Sequence, residues 1–166
     1  MKYALLSLLT VLSTWTILPA PASAQSVRNT AEYNLDSQVQ PGFAIALKGY
    51  DPVSYFPEGG SKPQAGKIEF RLEYMGATYL FASSANLDLF VQNADKYEPT
   101  YGGWCAFAMA SGSKVDIQPE IYTLSGSRLH FFVSRRAKVN FDADVVGYES
   151  RADNFWKQIT GENPRL

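Results

Sequence analysis

Apolar and charged positions alternate cleanly through Ile68-Glu69-Phe70-Arg71-Leu72-Glu73-Tyr74, the two-residue period of a half-buried strand. Met75-Gly76 follows as a turn, and Ala77 to Phe81 returns as the hairpin partner. A second hairpin is predicted from Ile121 to Leu124 and Arg128 to Val133, around Ser125-Gly126-Ser127. Between the hairpins, Ser83 or Ser84 caps a helix in which Ala85, Leu89 and Phe90 share a buried face, and Asn93-Ala94-Asp95 ends it. Trp104 to Ala110 is apolar on every side and closes at Gly112, so it reads as a buried helix. From Ser134 to about Ile159 the pattern is helical with a break near Gly147, and Phe141, Val145, Phe155, Trp156 and Ile159 are its core contacts.

Upstream the signals are weaker. Gln25 to Gln40 is polar and reads as an arm with one helical turn, and Phe43 to Leu47 is a short first strand. Asp51-Pro52 combines an N-cap acceptor with proline at the first helical position, which starts a short turn through Phe56. Pro57 to Gly66, rich in glycine and proline, is a loop. The fold class is α+β: one small domain of antiparallel hairpins against short helices, with a C-terminal helical segment. Its expected bounds are 43–160, preceded by an arm at 25–42 and followed by a tail at 161–166.

The first 24 residues have the layout of an export signal. Lys2 supplies the positive start, an apolar run extends from about Ala4 to Leu18, and Ala22-Ser23-Ala24 is a small-x-small cleavage site before Gln25. The run is too short and too rich in hydroxyls for a spanning helix, which needs about 20 apolar residues. No cysteine follows the cleavage site to carry a lipid, and no later stretch could cross a bilayer. The expected location is therefore periplasmic or secreted, with no stable membrane anchor.

Charge narrows the partners. The whole chain carries −1, and Lys2 is the only charged residue of the signal, so its removal leaves −2. A nucleic-acid binder needs a basic patch to neutralise phosphates, and this balance argues against one. Aromatic residues make up 14% of the chain, enough for a packed core, whereas Cys105 is the single cysteine and excludes an intrachain disulfide.

Cys105 follows Gly102-Gly103 near the start of the buried helix, where a helix N-terminus favours the thiolate. Free cysteine is also among the most buried residue types, and its neighbours Trp104, Ala106 and Phe107 suit a core position. Met109 lies four residues on, and with His130, the only histidine, the three could form a soft copper(I) site. Met109 at that spacing also suits core filling, and strand alternation sets His130 on the face opposite Leu129 and Phe131, solvent-facing or hydrogen-bonded.

Tyr50, Tyr55, Phe56, Tyr97, Tyr101 and Trp104 could line a ligand pocket between the segments 50–56 and 97–104, or form a loop-stabilising core with each hydroxyl satisfied. Asp51 could serve as a general base, although its position before Pro52 suits a cap. No phosphate loop, dinucleotide fingerprint, zincin motif or nucleophile elbow occurs.

Three blocks in order, Gly49-Tyr50-Asp51-Pro52-Val53-Ser54-Tyr55-Phe56, Tyr79-Leu80-Phe81-Ala82-Ser83-Ser84-Ala85-Asn86 and Tyr101-Gly102-Gly103-Trp104-Cys105-Ala106, resemble the exported YHS-domain proteins of bacteria. The likeness runs from about Phe43 to Trp156. Short metal-associated modules of the wider group look like Asp-Pro-Val-Cys followed by Tyr-x-Phe-Cys-Ser-x-x-Cys and a later phenylalanine. Against that pattern Ser54, Ala82 and Asn86 stand where the resemblance implies cysteines, and Phe90 keeps the phenylalanine. Alanine ligates nothing, and serine and asparagine are poor partners for soft metals. The resemblance thus implies the frame without its thiolate site. The expectation is an exported, non-catalytic binding domain for a small ligand, metal ion or partner protein; the alternative is a thiol-dependent redox or enzymatic protein using Cys105.

Overall fold

The structure, a computed structural model, describes residues 28–165. The signal segment expected at 1–24 lies outside the described residues. Among the described residues six strands and five α-helices follow one another, with short 3-10 turns before the first strand and between the second and third. The α+β expectation holds.

The alternating segment forms β3 (Lys67–Tyr74) and returns as β4 (Ala77–Phe81). Phe70, Leu72 and Tyr74 are half-buried while Glu69, Arg71 and Glu73 are exposed, as the period requires. All five residues of β4 are buried, because β4 lies inside the sheet order β1-β2-β4-β3. The first strand expected over 43–47 is shorter, β2 (Ile45–Ala46), and pairs parallel to β4 through Ile45 and Thr78. β1 (Leu35–Asp36) pairs antiparallel with β2. It falls in the segment read as a polar arm with one helical turn, and that turn is the 3-10 turn Thr30–Glu32. Two residues are too few to show a period of two.

The second hairpin is β5 (Gln118–Ser125) with β6 (Arg128–Phe132), a separate two-stranded sheet. The far edge of β6 is covered by the segment 100–105: the Thr100 N–H donates to Leu129 O at 3.0 Å, and Cys105 bridges Phe131 in parallel.

Helix α1 (Ser84–Gln92) starts at the Ser83 cap, whose Oγ accepts the Asn86 N–H. Its buried face differs from expectation: Asn86 and Phe90 are buried, Leu89 is half-buried and Ala85 is exposed. Asn86 displaces Ala85 from the interior because its amide has a buried acceptor, described below. Helix α2 (Ala94–Tyr97) follows at once. The apolar segment contains only four helical residues, α3 (Ala106–Met109), with Cys105 at the N-cap.

The C-terminal segment divides into α4 (Arg135–Asp142) and α5 (Val145–Thr160). The break falls at Ala143-Asp144 and not at Gly147. Asp144 caps α5 by accepting the Gly147 N–H at 3.0 Å, and a Cβ on Gly147 would stand 2.1 Å from Asp144 Oδ2. The glycine read as a breaker is what lets the cap close. Phe141 and Trp156 are buried, with Val145, Phe155 and Ile159 packed against the core.

At the centre Gly102 has φ +58°, and a Cβ there would meet Trp156 Cη2 at 2.7 Å and Tyr33 Cγ at 3.0 Å. Both ends of the described segment, at Arg28 and Arg165, are drawn into the body around Glu98, a buried carboxylate. Glu98 accepts from Arg28 at 2.7 Å, from Arg165 at 3.1 Å and from the Tyr79 hydroxyl at 3.1 Å. Arg165 also donates to Tyr33 Oη and to Glu162. The segments set apart as arm and tail thus contribute a strand, a buried tyrosine and two guanidinium groups to the domain.

Candidate functional site

Asp51 is fully buried, and its carboxylate joins two parts of the chain. Oδ1 accepts the Val53 N–H at 2.8 Å and so caps the turn Pro52–Tyr55. Oδ2 accepts the Ala82 N–H at 2.8 Å and the Asn86 amide at 2.6 Å. Ser54 completes the arrangement: its hydroxyl donates to Asp51 O at 2.7 Å and accepts the Gln64 N–H at 3.1 Å. Ser54, Ala82 and Asn86 therefore all bond Asp51, Ser54 through the backbone carbonyl and the other two through the carboxylate. The donor set is a hydroxyl, a backbone amide, a side-chain amide and a carboxylate already taken up by three N–H groups. Such a set does not fit a soft metal, and it holds the 51–55 turn against the β4–α1 junction.

The aromatic residues disperse. Phe56 meets Tyr97 edge to face at 5.0 Å, a packed contact between the two segments expected to flank a pocket. Tyr55 packs instead on Tyr122 and Phe131, and Trp104 donates its indole N–H to Glu32 O at 2.6 Å. The Tyr55 hydroxyl donates to Pro119 O at 3.1 Å, that of Tyr97 to Glu58 at 2.7 Å and that of Tyr101 to Asp153 at 2.7 Å. Tyr50 donates to Glu120. Burial raises the Tyr101 phenol well above its ordinary range, and the bond to Asp153 adds to the effect.

Cys105, Met109 and His130 are all buried. Bridge partners share a face of a sheet, so the Cys105 thiol lies with Phe131, while alternation turns the imidazole to the other side. The trio does not present one common face. Among the described residues no group of three or more His, Cys, Asp or Glu side chains is placed to hold a metal ion.

His130 is hydrogen-bonded and not solvent-facing. Alternation gave its face correctly, but α4 and α5 cover that face. The ring lies 5.5 Å from Tyr101 and 5.0 Å from Phe141, and Nε2 bonds Glu149 Oε1 at 2.7 Å. Burial lowers the imidazole pKa, and the bond to His130 lowers that of Glu149. Arg128 pairs with Glu149 at 3.2 Å and with Asp153 at 2.5 Å, and donates to Tyr101 Oη at 3.2 Å. The sequence reading missed this cluster. Its signal was present: Arg128 and His130 are two apart on a strand, and Glu149 and Asp153 are four apart on a helix, so each pair shares a face.

One concave surface lies elsewhere. A groove of about 470 Å³ runs between β5 and α4, lined by 120–124 of the strand and by Arg135 and Lys138 of the helix.

No curated protein and no solved structure matches the chain. Residues 60–101 match the YHS domain family. That stretch contains β3, β4, α1 and α2, with Ala82 and Asn86, while Asp51 precedes it and Cys105 follows it. The chain thus contains a YHS domain at residues 60–101.

Proposed function

We propose that this protein is an exported, non-catalytic YHS-type domain that works by binding, and that its ligand is recognised outside the frame formed by Ser54, Ala82 and Asn86. The observation that carries this reading is the Asp51 carboxylate, which accepts from Val53, Ala82 and Asn86 at 2.6 to 2.8 Å. The position of a thiolate site has become an internal hydrogen-bonded joint. The candidate tyrosines support the same reading, since the hydroxyls of Tyr50, Tyr55, Tyr97 and Tyr101 are spent on internal acceptors. Of the three ligand classes, a partner protein is favoured over a metal ion or a small molecule, because the concave surface described is an open groove along a strand. The signal-like first 24 residues support export.

The test is a copper(I) titration of the reduced mature chain against a competing chelator. The reading predicts that wild type and the Cys105→Ala and Met109→Ala variants are indistinguishable and bind well below one equivalent. One equivalent in wild type, lost in both variants, would establish a copper site and overturn it. Thiol chemistry is checked in the same preparation. Cys105 is fully buried, so a thiol reagent should label it only on unfolding, and rapid labelling of the native chain would favour a redox role.

A further inference from the structure

The hairpin register shows which backbone groups β5 leaves open. A two-residue loop, Gly126-Ser127, makes the flanking Ser125 and Arg128 a hydrogen-bonded pair. Bonding alternates along an antiparallel ladder, so Leu124 with Leu129 and Tyr122 with Phe131 are the non-bonded pairs. Their backbone N–H and C=O groups point away from the partner strand. On the β6 side these outward groups are used, by Thr100 at Leu129 and by Cys105 at Phe131. On the β5 side no backbone hydrogen bond reaches Tyr122 or Leu124 among the described residues.

This unpaired edge borders the groove of about 470 Å³, and α4 forms the other wall. Charges along the groove are unevenly spent. Glu120 accepts from Tyr50, and Lys138 is paired with Asp142 while donating to Thr123. Arg135 is exposed and has no ion-pair partner among the described residues. Glu120 keeps its charge, and the lining sets two cations, Arg135 and Lys138, against that one carboxylate, a net charge of +1.

We propose that the β5 edge receives an extended acidic segment of a partner protein. The segment adds as a third strand, bonds the backbone of Tyr122 and Leu124, and sets a carboxylate against Arg135. Edge addition draws affinity from main-chain hydrogen bonds and specificity from flanking side chains, and the groove supplies both. The inference rests on the binding-domain reading and names its partner.

The test pans a displayed library of random nonapeptides against the mature chain, then maps the selected peptides by amide hydrogen exchange. The expected winners carry Asp or Glu among β-formers, slow the exchange of the Tyr122 and Leu124 amides, and lose about tenfold in affinity with Arg135→Glu, a surface variant that leaves the edge intact. Neutral or basic winners, or affinity unchanged in R135E, would overturn the proposal. So would protection of the two amides through concentration-dependent dimerisation without peptide, which would make a second copy the occupant. Peptides that map to another face would end the edge proposal and leave the binding-domain reading standing, whereas a library that yields no binder would count against both.

Discussion

The Asn86 side-chain amide donates to Asp51 Oδ2 at 2.6 Å across 35 positions of sequence, and both residues are buried. This bond ties the turn after β2 to the first turn of α1. Removing its donor leaves a buried carboxylate oxygen with one N–H partner fewer, a loss of about 1–3 kcal/mol. Asn86→Ala should therefore lower the urea midpoint with an unchanged denaturant slope. Asp51→Ala should cost more, because it strands the N–H groups of Val53 and Ala82 as well. Equal stability of wild type and the Asn86 variant would show that the joint is not structural.

Stability should fall on mild acidification, and His130 sets the window. Its folded pKa lies below the ordinary 6.5 because burial disfavours the charged ring. Below pH 6.5 the unfolded chain therefore binds a proton that the folded chain does not, and stability is lost until pH falls through the folded value. Glu149 adds a lower window of the same sign, since its folded pKa is held below 4.5. Arg128, Asp153 and Tyr101 are the other groups around this pair. His130 is the only histidine, so His130→Gln should flatten the fall of the urea midpoint just below pH 6.5. An unchanged profile would contradict the assignment.

The Glu98 clasp predicts that the segments carrying Arg28 and Arg165 are part of the folding unit. Glu98→Gln takes the carboxylate from the Arg28 and Arg165 guanidinium groups, which it bonds at 2.7 and 3.1 Å. Breaking a buried pair by removing one partner costs about 3–5 kcal/mol, and thermal unfolding of the variant should show that loss. Limited proteolysis should then release the segment before Tyr33 first. A melting curve matching that of wild type would place the Arg28 and Arg165 segments outside the cooperative unit.

How much of this was legible follows from the physics of each signal. The β3–β4 hairpin and the Asp51 and Ser83 caps were readable because alternation and capping are local. The strand Leu35–Asp36 was not, since two residues carry no period. Alternation placed His130 on the right face but could not say that Phe141 and Glu149 cover it, because burial depends on what packs there. Asn86 was read as a lost ligand. Its role as a donor to Asp51 needed the fold, which brings the β4–α1 junction with Ala82 and Asn86 to the carboxylate of the 51–55 turn.

Export predicts a defined mature terminus. Ala22-Ser23-Ala24 should be cut before Gln25, and N-terminal sequencing of the chain from the extracytoplasmic fraction should read Gln25-Ser26-Val27-Arg28. Recovery of the uncut chain in the cytoplasm would remove export from the account.

Elemental analysis of the mature chain, purified from its own compartment without chelator or affinity metal, tests most directly the claim that the Asp51 joint has replaced a metal site. The account predicts copper, zinc and nickel each below about 0.1 equivalent, as a site of amide, hydroxyl and saturated carboxylate requires. Close to one equivalent of any of them, lost in Asn86→Ala while the chain stays folded, would contradict it.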